Sequence, residues 1–140
     1  MGGRVVVQTY NPSHYAVQCA ARHDYEGFYA REIVERKRYR YPPFVSLVNL
    51  VVAHRDGPTT HRLVQAWAQH LRKALAAGEA EIVGPAVCPL AKLKGHYRWH
   101  ILLKTQDAPG AAAVAAKWAD EQPAALRPAL AVDVEPVSLL

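Results

Sequence analysis

The sequence predicts an α+β fold, a split βαβ (ferredoxin-like) arrangement in which two helices cover one face of a four-stranded antiparallel sheet. Three observations predict it. From residue 43 onward, β-branched runs and helical apolar ladders follow one another in the order strand, helix, strand, strand, helix, strand. The two middle strands are separated only by Lys94-Gly95-His96, a turn short enough to set an antiparallel hairpin. Punctuation falls where that order needs it: Arg55-Asp56-Gly57-Pro58 closes the first strand, and Asp107 with Pro109 opens the second helix.

Residues 4–9 are rich in valine and suit a buried strand bounded by Asn11-Pro12-Ser13, although no neighbouring strand is evident locally. From Asp24, placed to cap a first turn, Tyr25, Phe28, Tyr29, Ile33 and Arg36 recur at helical steps. Pro42 and Pro43 end that helix, because the residue before a proline is pushed out of the helical region. The domain boundary falls there, dividing the chain into residues 1–42 and 43–140. Phe44 to His54 reads as a central strand. A helix follows from Thr59 or Thr60, where Leu63, Trp67, Leu71 and Leu75 form a ladder that Gly78 stops. Glu81 to Leu90, interrupted at Gly84-Pro85, and Arg98 to Thr105 are the hairpin strands. Ala111 to Trp118 is the second helix, excluded from extending by Pro123, and Ala131 to Val137 the last strand.

Composition narrows the function. The hydrophobic fraction of 51% supports a packed core. There is neither an apolar run of about 18 residues nor a secretory signal pattern, so the chain reads as cytoplasmic. Cys19 and Cys88 stand far apart without a Cys-x-x-Cys, which points to neither a disulfide framework nor a zinc site. The seven histidines include no His-Glu-x-x-His; His96 and His100 are splayed across a turn entering a strand. No Gly-x-x-x-x-Gly-Lys-Ser/Thr loop is present to cradle phosphates, and Asp120-Glu121 sits at a helix end before Pro123, away from any hydrophobic strand end that would place a magnesium ligand. The expectation is a chain without ATPase activity, cofactor or metal of its own.

The formal charge of +5 favours an anionic partner. One basic segment, Arg31 and Arg36 to Arg40, is interspersed with Glu32 and Glu35 and complements the negative end of a helix dipole; Arg38 and Arg40 are its candidates for phosphate contact. The other, Lys92, Lys94, Arg98 and Lys104, has no acid between its members. Within it, Lys92, Lys94, His96, Tyr97, Arg98 and Trp99 crowd a hairpin tip around Gly95, where cations can meet phosphates and rings can stack on unpaired bases without reading sequence. A second reading stands beside this one: Tyr97 and Trp99 alternate inward as core residues and leave Arg98 outside.

Several co-linear segments carry a resemblance. Gly3-Arg4-Val5-Val6-Val7-Gln8-Thr9 is followed by His23-Asp24-Tyr25, Phe28-Tyr29, Glu32, Arg36 and Tyr41-Pro42-Pro43-Phe44. Then come Val83-Gly84-Pro85, Gly95-His96-Tyr97-Arg98-Trp99 and Val132-Asp133-Val134-Glu135-Pro136, the last in place of the usual Asp-Val-Asp-Pro. In this order and spacing they resemble the C-terminal part of the PriA replication-restart helicase family, also called primosomal protein N-prime. The resemblance implies a C-terminal domain similar to a small-subunit ribosomal protein, preceded by the trailing strand and linking helix of a RecA-like motor lobe. It implies fork or single-stranded DNA as partner, with the single-stranded DNA-binding protein and other primosome proteins. ATP and zinc belong to parts of that family without counterpart here. The rival reading is an interaction module that contacts the motor lobes or an acidic tail of the single-stranded DNA-binding protein.

Overall fold

Strand β1 (Ser46–His54) explains the sheet around it: Leu47, Val48, Asn49 and Leu50 are buried in succession, so both of its faces are covered over that stretch. In the computed structural model, which describes Gly3 and residues 5–139, β1 pairs antiparallel with β3 (His96–Thr105) on one edge and β4 (Leu130–Val134) on the other. Strand β2 (Ala80–Leu93) pairs antiparallel with β3, giving the order β2-β3-β1-β4. The βαββαβ order expected from the sequence is therefore present, and the fold is α+β.

Helix α3 (Gly57–Ala74) starts two residues earlier than its ladder suggests because Asp56 caps it, accepting from the Thr59 amide at 2.8 Å. The helix ends at Ala74, before Gly78. Its apolar stripe, Leu63, Val64, Trp67, Ala68 and Leu71, packs on Val48, Leu50, Val52, Ile101 and Leu103. Helix α4 (Ala108–Asp120) is capped in the same way by Asp107, which accepts from the Gly110 amide at 3.0 Å. Both helices join one core, tied where the Trp67 indole N–H donates to the Ala115 carbonyl at 3.2 Å and its ring stacks on Trp118 at 5.5 Å. Burying the indole with its N–H satisfied makes this the anchor of the helical layer.

The strand limits differ from the sequence expectation for local reasons. Strand β2 runs to Leu93 with irregular pairing between Val83 and Ala86 and between Val87 and Lys92. Gly84, at φ +97°, permits the first: a Cβ there would lie 3.0 Å from the Ala86 nitrogen and 3.2 Å from the His100 oxygen. Strand β4 stops at Val134, since Glu135 takes φ 52° and turns the chain out of the ladder. The returning segment brings Leu139 against Val45, Leu47 and Leu102 on the face opposite the helices. The incoming segment meets that same face. Tyr41 lies over the Lys104 ammonium at 4.3 Å, and Arg40 and Lys104 both approach Glu81, at 3.8 and 3.7 Å.

The chain divides into two compact units, a leading one ending at Tyr39 and a second beginning at Arg40. In the leading unit, helix α2 (Tyr25–Arg38) begins where expected, with the Asp24 carboxylate accepting from the Gly27 amide at 2.8 Å. A second helix, α1 (Tyr15–Ala21), was not foreseen; its cap is the ring of His14, a weak sequence signal. The Tyr15 hydroxyl donates to Glu32, and this bond, with Arg36 at 2.7 Å, holds the Glu32 carboxyl below the usual carboxylate range. Tyr25 and Tyr29, two of the residues recurring at helical steps, are exposed on α2. The expected strand at residues 4–9 is not formed. Arg4 lies outside the described residues, and residues 5–9 have no strand structure, with Val5 and Val6 about nine-tenths exposed. A strand without a neighbour leaves its backbone groups unpaired, so valine content alone does not make one.

Because the core cluster draws only on residues of the second unit, a chain reduced to residues 40–140 should retain a single cooperative thermal transition. Starting at Ser46 removes Tyr41 and Val45 and should lower the midpoint. Differential scanning calorimetry of both truncations checks this.

Candidate nucleic-acid interface

The β2–β3 hairpin turns on two residues. Lys94 and Gly95 have φ of 47° and 81°, the paired left-handed conformations of a type I′ turn, and Leu93 faces His96 across it. One step back, Lys92 faces Tyr97 and its ammonium sits 4.6 Å from the ring centre. Tyr97 also rests beside Gly57 at the start of α3. The tip presents the exposed Lys92 and Lys94 next to a partly exposed aromatic ring.

Alternation along β3 separates the rest of the candidate cluster. Trp99 pairs with Val52, whose side chain is in the core, so Tyr97 and Trp99 point to the helix-covered face. Trp99 packs against the core and meets His61 edge-on at 5.0 Å. His96, Arg98 and His100 belong to the opposite, helix-free face, where Arg98 pairs with Ala53 and His100 with Val51. The inward alternation of the two aromatics, the second reading of the sequence, describes this geometry. Outward display at one tip holds only for Lys92, Lys94 and the edge of Tyr97.

The remaining cations are dispersed. Lys104, counted with the unopposed cations on sequence, is buried at 7% exposure and paired with Glu81, an acid distant in sequence but opposite it in the ladder. Arg40 shares Glu81, whereas Arg38 lies in the last turn of α2 over the Tyr39 ring at 5.3 Å. The two arginines thus fall in different units. Among the described residues no group of three His, Cys, Asp or Glu side chains could hold a metal ion, and no helix is long and apolar enough to cross a membrane.

The family model described as the primosomal protein N C-terminal domain matches residues 37–137, taking in the whole sheet and both covering helices. The chain belongs to that family. It is 38% identical over 141 aligned residues to the replication restart protein PriA of Treponema pallidum, covering 99% of this chain and 21% of that protein. It is 36% identical over 102 residues to the replication restart protein PriA of Bacillus subtilis, covering 73% of this chain and 12% of that protein, and 33% identical over 105 residues to its namesake in Thermotoga maritima. The chain spans about an eighth to a fifth of the length of the first two of these relatives.

Within this primosomal C-terminal domain, the helix-free face holds features that the motif search missed. Burial, and then the positive charge of Arg98, push the His100 imidazole below its ordinary value; burial pushes the Cys88 thiol up, against a smaller opposite pull from Arg98. Both groups are held in their neutral forms. His100 Nδ1 and the Asn49 side-chain oxygen are buried without a hydrogen-bond partner among the described residues. No spacing rule reveals such a set, since it is assembled from three strands by register.

Two outcomes follow. Trp99→Ala should lower stability by about 2 kcal/mol, roughly half the cost of emptying a fully buried tryptophan site, as measured by urea denaturation. For His100 the sign is set by its lowered folded-state value. Below the ordinary imidazole value of about 6.5 the unfolded chain takes up a proton that the folded chain resists, so stability is full above that pH and declines as pH falls beneath it. The loss in unfolding midpoint between about pH 7.5 and pH 5.5 should therefore be smaller in His100→Gln than in the parent chain.

Proposed function

We propose that this chain is the C-terminal part of a replication-restart protein and that it holds fork or single-stranded DNA without strong sequence preference, with no ATPase of its own. Membership of the primosomal protein N C-terminal domain family supports the setting, together with the replication restart proteins among its relatives. The observation that carries DNA binding is the hairpin tip. Lys92 and Lys94 are exposed beside Tyr97 at a type I′ turn, presenting charge to phosphates from a folded hairpin. The lack of a phosphate-binding loop supports the second part: nucleotide hydrolysis belongs to other regions of a longer protein. The leading unit fits the trailing portion of a motor lobe and its linking helix, and other primosome proteins fit as partners of the intact assembly.

A second reading has one observation in its favour. Val83, Val87, Leu90 and Leu93 are all exposed on β2, an edge strand, as expected of a module that packs on the motor lobes or receives the acidic tail of a single-stranded DNA-binding protein. Titrating the chain with forked, single-stranded and duplex DNA, with an acidic tail peptide and with ATP, at several salt concentrations, separates the readings. On the first, DNA binds with a salt-dependent affinity and ATP does not saturate. Lys92→Ala with Lys94→Ala should weaken binding to all sequences alike and lower the salt slope by about 1.4 to 1.8 units, since each lost phosphate contact removes roughly 0.7 to 0.9. Peptide binding with no measurable DNA binding would select the second reading.

A further inference from the structure

Helix α3 turns one face to the core and the other outward, and the outward face carries charge of one sign. Arg62, Ala66, Gln69 and Lys73 follow one another at steps of three and four residues and are all exposed, with Arg72 exposed beside Lys73. None of the 18 residues of the helix is acidic. A solvated helix ordinarily mixes signs, as α2 does where Arg36 pairs with Glu32. The negative end of the helix dipole accounts for Arg72 and Lys73 in the last turn, but Arg62, in the second turn, gains nothing from it.

The leading end of this face meets the hairpin tip. Tyr97 rests beside Gly57, the first residue of α3, and holds Lys92 over its ring, while Arg55 is exposed between β1 and α3. The contacts these cations make are with neutral groups: the Tyr97 ring for Lys92, the Thr59 hydroxyl for Arg62 at 3.5 Å and the Gly84 carbonyl for Arg72 at 3.2 Å. Among the described residues, none of Arg55, Arg62, Arg72, Lys73, Lys92 and Lys94 is in an ion pair. The acids at the borders are otherwise engaged or lie on the other helix. Asp56 caps α3 through the Thr59 amide, Glu79 accepts from the Ala76 amide at 2.8 Å, and Asp120 and Glu121 close α4 after Lys117.

We infer that the outward face of α3 is a seat for the duplex arm of a fork, with the hairpin tip at its leading end, where the strands part. This rests on the DNA-binding reading proposed above and adds to it a surface and a direction. Arg62 and Lys73 stand about 16 Å apart along the helix axis, at 1.5 Å per residue. That span lets the two ends of α3 reach phosphates of both strands across a major groove about 12 Å wide. Charge concentrated at the two ends makes backbone contacts, which position a duplex without reading its sequence. A single strand is held best on stacking platforms, and this face has none: Trp67 is fully buried and α3 contains no other Trp, Tyr or Phe. The exposed ring of Tyr97 is at the tip, where the first unpaired base lies.

Substitutions on α3 separate this seat from the tip. Arg62→Gln with Lys73→Gln puts good helix formers at two exposed positions, so the thermal transition should be unchanged. Fluorescence anisotropy with a blunt duplex, a fork and a single strand, at several salt concentrations, supplies the readout. The pair should lower the duplex and fork salt slopes by about 1.8 units, roughly 0.9 per lost phosphate contact, and the single-strand slope by much less. Lys117→Gln, exposed on α4, should leave all three slopes unchanged. An equal effect of the α3 pair on single strand and duplex would overturn the duplex assignment. If the pair changes the duplex slope no more than Lys117→Gln does, while the Lys92 and Lys94 double substitution still weakens binding, the seat is wrong and the hairpin tip stands. If the unsubstituted chain binds no DNA, both fall.

Discussion

The pairing register of β1 is the constraint on which the rest of the structure depends. Val48, Leu50 and Val52 must face the helices, and the ladders on both edges of β1 carry that choice outward to β3 and β4. A slip of one residue would put Asn49 and Val51 beneath Trp67 and expose three fully buried aliphatic side chains. Because Val52 sits opposite Trp99, the same register sends the aromatics of β3 to the core and its basic residues to the other face. What would otherwise be one mixed cluster around Gly95 becomes a packed side and a charged side.

That partition also decides which cations are available. Lys104 lies on the charged side but at the covered end, where Tyr41 and Glu81 hold it. Arg98 and His100 lie at the open end, in enough seclusion that the imidazole is kept neutral. Charge on this domain is therefore graded along β3 from a neutralised end to an exposed one, and the hairpin tip is the exposed extreme. A polyanion approaching the domain meets Lys92 and Lys94 with no acidic side chain opposite them in the hairpin.

Much of the fold was legible because its signals are local. Asp56 and Asp107 are efficient caps, the Leu63–Trp67–Leu71 ladder is strongly periodic, and Lys94-Gly95 can only be a tight turn. What was not legible depends on partners distant in the chain. The valine run at residues 5–9 has the composition of a strand without a neighbour to pair with, and α1 opens on a histidine that no capping rule ranks highly. At the candidate interface the period of two was readable from Tyr97, Arg98, Trp99 and His100, but its phase was not. Which alternate set faces inward is fixed by Val52 on a different strand. The pairing of Lys104 with Glu81, 23 positions away, was hidden for the same reason.

The position of β1 has a mechanical meaning as well. Tension applied at Arg40 bears first on its contact with Glu81 and on Tyr41 over Lys104, and behind them on β1, an element clamped by ladders on both edges. Backbone hydrogen bonds in an antiparallel ladder lie perpendicular to the strands. A pull along β1 loads in shear the ladders on both of its edges, whereas a pull along β4 loads only its single short ladder with β1. The domain thus resists a pull at its leading strand, held by two ladders, more than a pull at its trailing strand, held by one.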